Sequence, residues 1–246
     1  MDALARVEGN RELLDEIAKM CHKFGLGQTY GLEIPGEKGG LVPDPAWKQR
    51  RHKDIWRDGD TYNVGIGQGA LQVTPLQLCV MCARLANGGK AVIPHVIRSF
   101  DGVERVMPEP SDMGLDPAHV AIVHGGMDAV TNQGGTGARS RIGIEGFEMA
   151  GKTGTAQVRR LTAELRGKNF MSIPWEFRDH ALFIAFAPVT EPRYAISVVI
   201  EHGGGGSKTA APIAKDIMTL IGQRDPVRQP LFVPPPRQPI TTASKV

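Results

Sequence analysis

The chain has 246 residues, of which 41% are hydrophobic and 22% charged, with a formal net charge of +3. That length supports one large domain with its own core and needs no disulfide or metal staple. So small a basic excess excludes an electrostatic footprint for nucleic acid, and the basic stretch KQRRHKDIWR from Lys48 to Arg57 reads as a solvated loop. Nothing at the N-terminus, MDALARVEGNRELL, has the apolar run of an export signal or a membrane span.

The first predicted element is an amphipathic helix from Asn10 to Gly25, with Asn10 as cap, Leu13, Ile17, Cys21 and Phe24 on one stripe, and Gly25 as stop. Leu26 to Ala70 is rich in Gly and Pro without a sustained period, which predicts long loops with short extended pieces. Thr74-Pro75-Leu76-Gln77 then gives a strong helix start: a Thr cap, Pro at the first helical position and Gln closing a capping box. The helix runs to Asn87-Gly88-Gly89 and is apolar nearly all round, as suits a helix buried between layers. Cys79 and Cys82 spell C-x-x-C inside it. With Cys21 they make no closed disulfide framework, and they read as small buried residues.

An extended AVIPHVIRSF follows, then a helix opened by Asp116-Pro117 and the flexible segment GGTGARS. From there the chain turns strand-like in FEMAGKTGTAQV, HALFIAFAPV and YAISVVIEHG, the last two forming a hairpin through Thr190-Glu191-Pro192-Arg193. Gly203 to Gly206 make a hinge before a final helix, KTAAPIAKDIMTLIG, with Pro212 in its first turn. Residues 1–225 are expected to form one domain and the Pro-rich 226–246 an extended tail. Helices, then neighbouring antiparallel strands, then a covering helix give an α+β fold.

The segment GFEMAGKTGT, Gly146 to Thr155, admits two chemistries. Its first eight residues spell the nucleotide-binding G-x-x-x-x-G-K-T, and its last four contain the Lys-Thr-Gly of active-site serine acyltransferases. A P-loop must run straight into a helix, whereas strand-like Gly154 to Val158 follows here, and Phe147, Glu148 and Met149 obstruct a phosphate cradle. The other chemistry needs a fixed cation and hydroxyls for a peptide carboxylate, and an open backbone for an extended substrate. Lys152 supplies the charge, Thr153 and Thr155 the hydroxyls, and Gly154 the unobstructed backbone.

The ordered blocks FGLGQTYGLEIPGEKGGLVPDPAWK, GDTYNVGIGQGALQVTPLQL, GGTG, AGKTGTAQV, DHALF and EHGGGGS resemble the C-terminal half of the transpeptidase domain of the penicillin-binding protein 2 family, class B penicillin-binding proteins of Gram-negative cell elongation. The resemblance covers roughly residues 10 to 222. It implies a β-lactamase/transpeptidase-like antiparallel sheet flanked by helices, N-terminally truncated here. It also implies that Lys152, Thr153, Gly154 and Thr155 line one wall of the cleft. Lys152 and the threonines then address the carboxylate of a D-Ala-D-Ala stem peptide or a β-lactam, and the Thr155 N–H is one of two oxyanion donors. The implied setting is the periplasmic face of the inner membrane, among cell-elongation proteins. No cofactor or metal is implied. Leu182 stands where the family pattern has Trp.

The family nucleophile is the Ser of Ser-x-x-Lys, aided by Ser-x-Asn. None of the seven serines, Ser99, Ser111, Ser140, Ser172, Ser197, Ser207 and Ser244, begins either motif. Both motifs are expected upstream of Asn10, so this chain is expected to recognise stem peptides and to form no acyl-enzyme alone. Two other readings stay open at this point, a non-catalytic binding or scaffold protein in wall assembly and a P-loop nucleotide binder. Ser207-Lys208 and the strand-end histidines His180 and His202 are the remaining candidates for catalytic groups, with ordinary structural roles as the alternative.

Overall fold

The computed structural model describes residues 3–158 and 172–227, with side chains from residue 12 onward. The Pro-rich tail beyond 227 lies outside the described residues. In chain order the helices are α1 (Ala3–Lys23), α2 (Pro45–His52), α3 (Asp58–Gly65), α4 (Pro75–Ala86), α5 (Pro117–Asn132) and α6 (Ala210–Arg224). The strands are β1 (Ser99–Phe100), β2 (Val103–Glu104), β3 (Ala150–Ala156), β4 (His180–Ala187) and β5 (Tyr194–Ile200).

The main sheet is antiparallel, in the order β3-β4-β5, with Lys152 opposite Ile184 and Phe183 opposite Val198. Alternate residues of β4 face opposite sides. Ala181, Phe183 and Ala185 pack with Ala210, Ala211, Ala214 and Met218 of α6, while Phe186 and Ile184 pack with Cys82 of α4 and Met127 of α5. The sheet therefore lies between α6 on one face and α4 with α5 on the other. β1 and β2 form a separate short hairpin.

The helix starts follow their cap signals. Thr74 Oγ1 accepts from the Gln77 N–H at 3.1 Å, and Gln77 Oε1 accepts from the Thr74 N–H at 3.0 Å, closing the capping box. The fully buried Gln77 also donates through Nε2 to the Gln28 and Gly39 carbonyls at 2.9 and 2.7 Å, pinning the loop between α1 and α2. Only Pro75 of α4 is exposed, as its apolar surface requires. The one charged residue buried there, Arg84, donates to the Lys23 and Val92 carbonyls. Burial pushes both α4 thiols up, Cys82 the further, which favours their protonated form.

Two expectations are corrected. Asn10 is not a cap, because α1 already begins at Ala3; Leu13 of the expected stripe is 50% exposed, and its neighbour Leu14 is the residue in the core. The expected loop from Leu26 to Ala70 contains α2 and α3. Asp44 caps α2 by accepting from the Trp47 N–H at 2.6 Å, with Pro45 at the first helical position, and Asp60 closes the first turn of α3 by accepting from the Arg57 N–H at 2.8 Å. Both helices are only 8 residues long, too short to show a 3.6-residue period.

Candidate functional site

The site begins at the outer edge of β3, with which no other strand pairs among the described residues. Gly151 turns toward Phe183, where a Cβ would lie 2.4 Å from the ring, so glycine is what lets the strand close on the core. Thr131 Oγ1 and Asn132 Nδ2 at the end of α5 donate to the Met149 carbonyl at 2.5 and 3.1 Å. The helix is thereby fixed at the start of β3, and Lys152 and Thr155 beyond it are exposed.

The phase of the strand follows from its hydrogen bonds. The Thr153 carbonyl accepts from Lys152 Nζ at 2.9 Å, and the Thr155 carbonyl accepts from Gln68 Nε2 at 3.1 Å. In an antiparallel ladder the N–H and C=O of one residue point to the same side. Thr153 and Thr155 therefore direct both backbone groups away from β4, along the open edge. Gln68 also accepts the Gln157 N–H at 3.4 Å, occupying the slot where another strand would pair. Thr153 Oγ1 lies 3.0 Å from Thr136 Oγ1 in the loop after α5. Lys152, Thr153, Gly154 and Thr155 are thus gathered on one open strand edge, flanked by Gln68 and Thr136.

Gln68 and Thr136 are the members that residue reading missed. Both lie in glycine-rich blocks, Gly65 to Gly69 and Gly134 to Gly137, whose partners 87 and 17 residues away no local pattern reveals. The Gly65–Gly69 segment is the turn after α3, and it packs against the strand through Gln68.

The P-loop reading is overturned. Lys152 and Thr153 sit inside β3, and the strand continues to Ala156 instead of opening a helix at Lys152-Thr153 as a P-loop must. The fallback groups lie beside the end of β3, where His180 is opposite Ala156. Ser207 and Lys208 line a cavity of 440 Å³ with Thr155, Arg178 and Asp179. His180 Nδ1 accepts from the His202 N–H at 2.9 Å, and His202 Nδ1 bonds the Arg178 carbonyl at 2.9 Å, with Trp175 packed on its ring. These are structural strand-end histidines. Leu182 sits under Gly154, where a Cβ would lie 3.2 Å from the Leu182 Cβ.

Residues 10–219 match the penicillin binding protein transpeptidase domain. The chain belongs to the penicillin-binding protein transpeptidase family. Among its relatives, the peptidoglycan D,D-transpeptidase MrdA of Acinetobacter baumannii is 35% identical over 238 residues, covering 92% of this chain and 34% of the relative. MrdA of Salmonella typhimurium is 37% identical over 211 residues, covering 83% and 34%. The crystal structure of Pseudomonas aeruginosa PBP2 in complex with WCK 5153 superposes with a TM-score of 0.70 at 36% identity, covering 86% of this chain and 42% of that one. The complex of PBP2 and MreC from Helicobacter pylori gives 0.71 at 31% identity, with 85% and 36% covered. This transpeptidase-family chain spans about a third of the length of the curated relatives it matches. Its α+β sheet flanked by helices is the fold of those structures, and among its described residues no helix is long and apolar enough to cross a membrane.

Proposed function

We propose that this chain forms the carboxylate-recognising wall of a peptidoglycan D,D-transpeptidase site, binding the D-Ala-D-Ala end of a stem peptide or a β-lactam along the edge of β3. The observation that carries this reading is the outward direction of the Thr153 and Thr155 backbone groups beside the exposed Lys152. An extended peptide adds to such an edge as a further strand. Its carboxylate then meets the Lys152 ammonium and the hydroxyls of Thr153 and Thr155, and the Thr155 N–H faces the position where an oxyanion develops. Family membership supports the same assignment.

The covalent step needs a nucleophile that none of the chain's serines supplies in Ser-x-x-Lys context. Alone, the chain binds reversibly and forms no acyl-enzyme. A non-catalytic role in wall assembly uses the same binding geometry and differs only in what completes the site. The resemblance implies a setting at the periplasmic face of the inner membrane, and the PBP2–MreC complex supports a protein partner for this chain.

The test is a 1H–15N titration with a peptide ending in D-Ala-D-Ala. The Thr153 and Thr155 amides shift, and Lys152→Gln weakens binding roughly tenfold or more, since a hydrogen bond to a charged group contributes about 1.5–3 kcal/mol. Unmoved β3 amides in the folded chain overturn the binding reading. A fluorescent-penicillin band that survives a denaturing gel overturns the claim that the chain forms no acyl-enzyme.

A further inference from the structure

A second cavity, of 340 Å³, lies between α2, α3 and the Gly65–Gly69 turn, and is lined by Trp47, Trp56, His52, Lys48, Asp54 and Asp60 among others. Its volume falls at the small end of the range for small-molecule sites. Both indoles are held in place. Trp47 meets His52 edge to face with ring centroids 5.1 Å apart, and Trp56 Nε1 donates at 2.9 Å to the Oγ1 of the buried Thr61.

The charges of the cavity cancel locally. Lys48 Nζ is 2.6 Å from Asp60 Oδ2 and 3.4 Å from Asp54 Oδ2, and Asp54 also takes Arg57 Nη1 at 2.5 Å. The Arg57 partner holds the Asp54 carboxyl at about 2, so it stays an ionised acceptor. A charged ligand finds no uncompensated countercharge here. A neutral ligand rich in hydroxyls does find acceptors, because each carboxylate oxygen offers more lone pairs than its present partners use. An apolar face on that same ligand would lie against indole, and a methyl group against Val64 and Ala70.

We infer that this cavity is a glycan subsite that takes an N-acetylhexosamine ring, its apolar face on the tryptophans and its hydroxyls on Asp54, Asp60 and Asn63. Such a ring combines a C–H face, several hydroxyls, an acetamido methyl and no charge. The location agrees. Gly69 lines the cavity, and the adjacent Gln68 is bonded to the end of β3, so one turn joins the glycan subsite to the peptide edge. The choice of an N-acetylated sugar rests on the proposed peptidoglycan function, since the polymer that carries stem peptides is a glycan; the aromatic and polar lining stands without it.

The probe is a β-1,4-linked N-acetylglucosamine trimer, followed through the Trp47 and Trp56 indole N–H and Gly69 amide resonances. These shift saturably, Trp47→Ala weakens binding roughly tenfold, and Trp47→Phe stays within about threefold of the parent. His52→Ala, at the exposed end of α2, gives a second loss should Trp47→Ala not fold, and unmoved Thr153 and Thr155 amides report an intact sheet. Absence of these shifts in the parent chain overturns the subsite, as does undiminished binding in a folded Trp47→Ala. Equal binding of maltotriose overturns the acetamido assignment. The D-Ala-D-Ala peptide is titrated into the same sample and reads at β3, so a silent sugar arm beside an active peptide arm removes this subsite alone.

Discussion

Gln68 is bonded by both ends of its side-chain amide to the edge of β3, to the Thr155 carbonyl at 3.1 Å and the Gln157 N–H at 3.4 Å, and so takes the place of a neighbouring strand where a substrate strand would have to end. It fixes the peptide plane after Thr155. Gln68→Ala frees both groups without touching the sheet core. The Gln157 amide is expected to exchange faster with solvent, and the peptide ligand to bind about fivefold more weakly, the equivalent of roughly 1 kcal/mol for one hydrogen-bonded support. Unchanged exchange at Gln157 shows that the amide does not hold the edge.

Much of this arrangement was legible because it is local. The capping box of Thr74 and Gln77, the Asp116-Pro117 start of α5, the hairpin of β4 and β5, and the strand character of Gly151 to Ala156 all lie within a few residues of their signals. The helices α2 and α3 were missed because two turns carry caps but no period. Of the expected stripe on α1, Ile17, Cys21 and Phe24 are half-buried as the period requires, and only Leu13 falls outside it, its place in the core taken by Leu14. The Gly65–Gly69 loop is legible as a turn packing against the cleft, but the side-chain roles of Gln68 and Thr136 are not, since what gives them meaning is proximity to β3, and that exists only after the sheet has formed.

Gly206 ties the glycine-rich loop to the sheet. A Cβ there would lie 2.2 Å from the Leu182 carbonyl oxygen and 2.6 Å from that of Gly154, both backbone atoms of paired strands that cannot yield cheaply. Gly206→Ala is expected to destabilise the fold by roughly 1–3 kcal/mol, the ordinary cost of overpacking. Gly205→Ala, whose added methyl would meet no atom within 4 Å, serves as the control. Thermal melts of the two variants check this; equal midpoints contradict it.

Asp225, buried at the end of α6, pairs with Arg193 and accepts from the Val227 N–H at 3.1 Å and the Tyr194 hydroxyl at 3.3 Å. Burial pushes its carboxyl up, but Arg193 and these donors together hold it below the usual carboxylate range. Because the folded value is depressed, the contribution to stability is complete above the unfolded value and is lost as pH falls through the folded one. Asp225→Asn should therefore destabilise the protein at neutral pH, with the gap to the parent narrowing below about pH 4. Denaturant midpoints across pH read it directly, and a gap that widens in acid is the contrary result.

Gln77 is the residue on which the loop before α2 depends. Its amide is fully buried and serves the Thr74 N–H and the Gln28 and Gly39 carbonyls at once, while Gly40 passes so close that a Cβ would lie 2.7 Å from Gln77 Oε1. Gln77→Leu keeps much of the volume and leaves these three backbone groups unpaired, at roughly 1–3 kcal/mol for each group that water does not reach. The Thr74 hydroxyl still caps α4, so the helix should persist while the 28–40 segment detaches. Limited proteolysis is then expected to cut within that segment in the variant before any other site, and circular dichroism to show nearly unchanged helix content. Global unfolding instead of local cleavage would mean that the loop is part of the cooperative core.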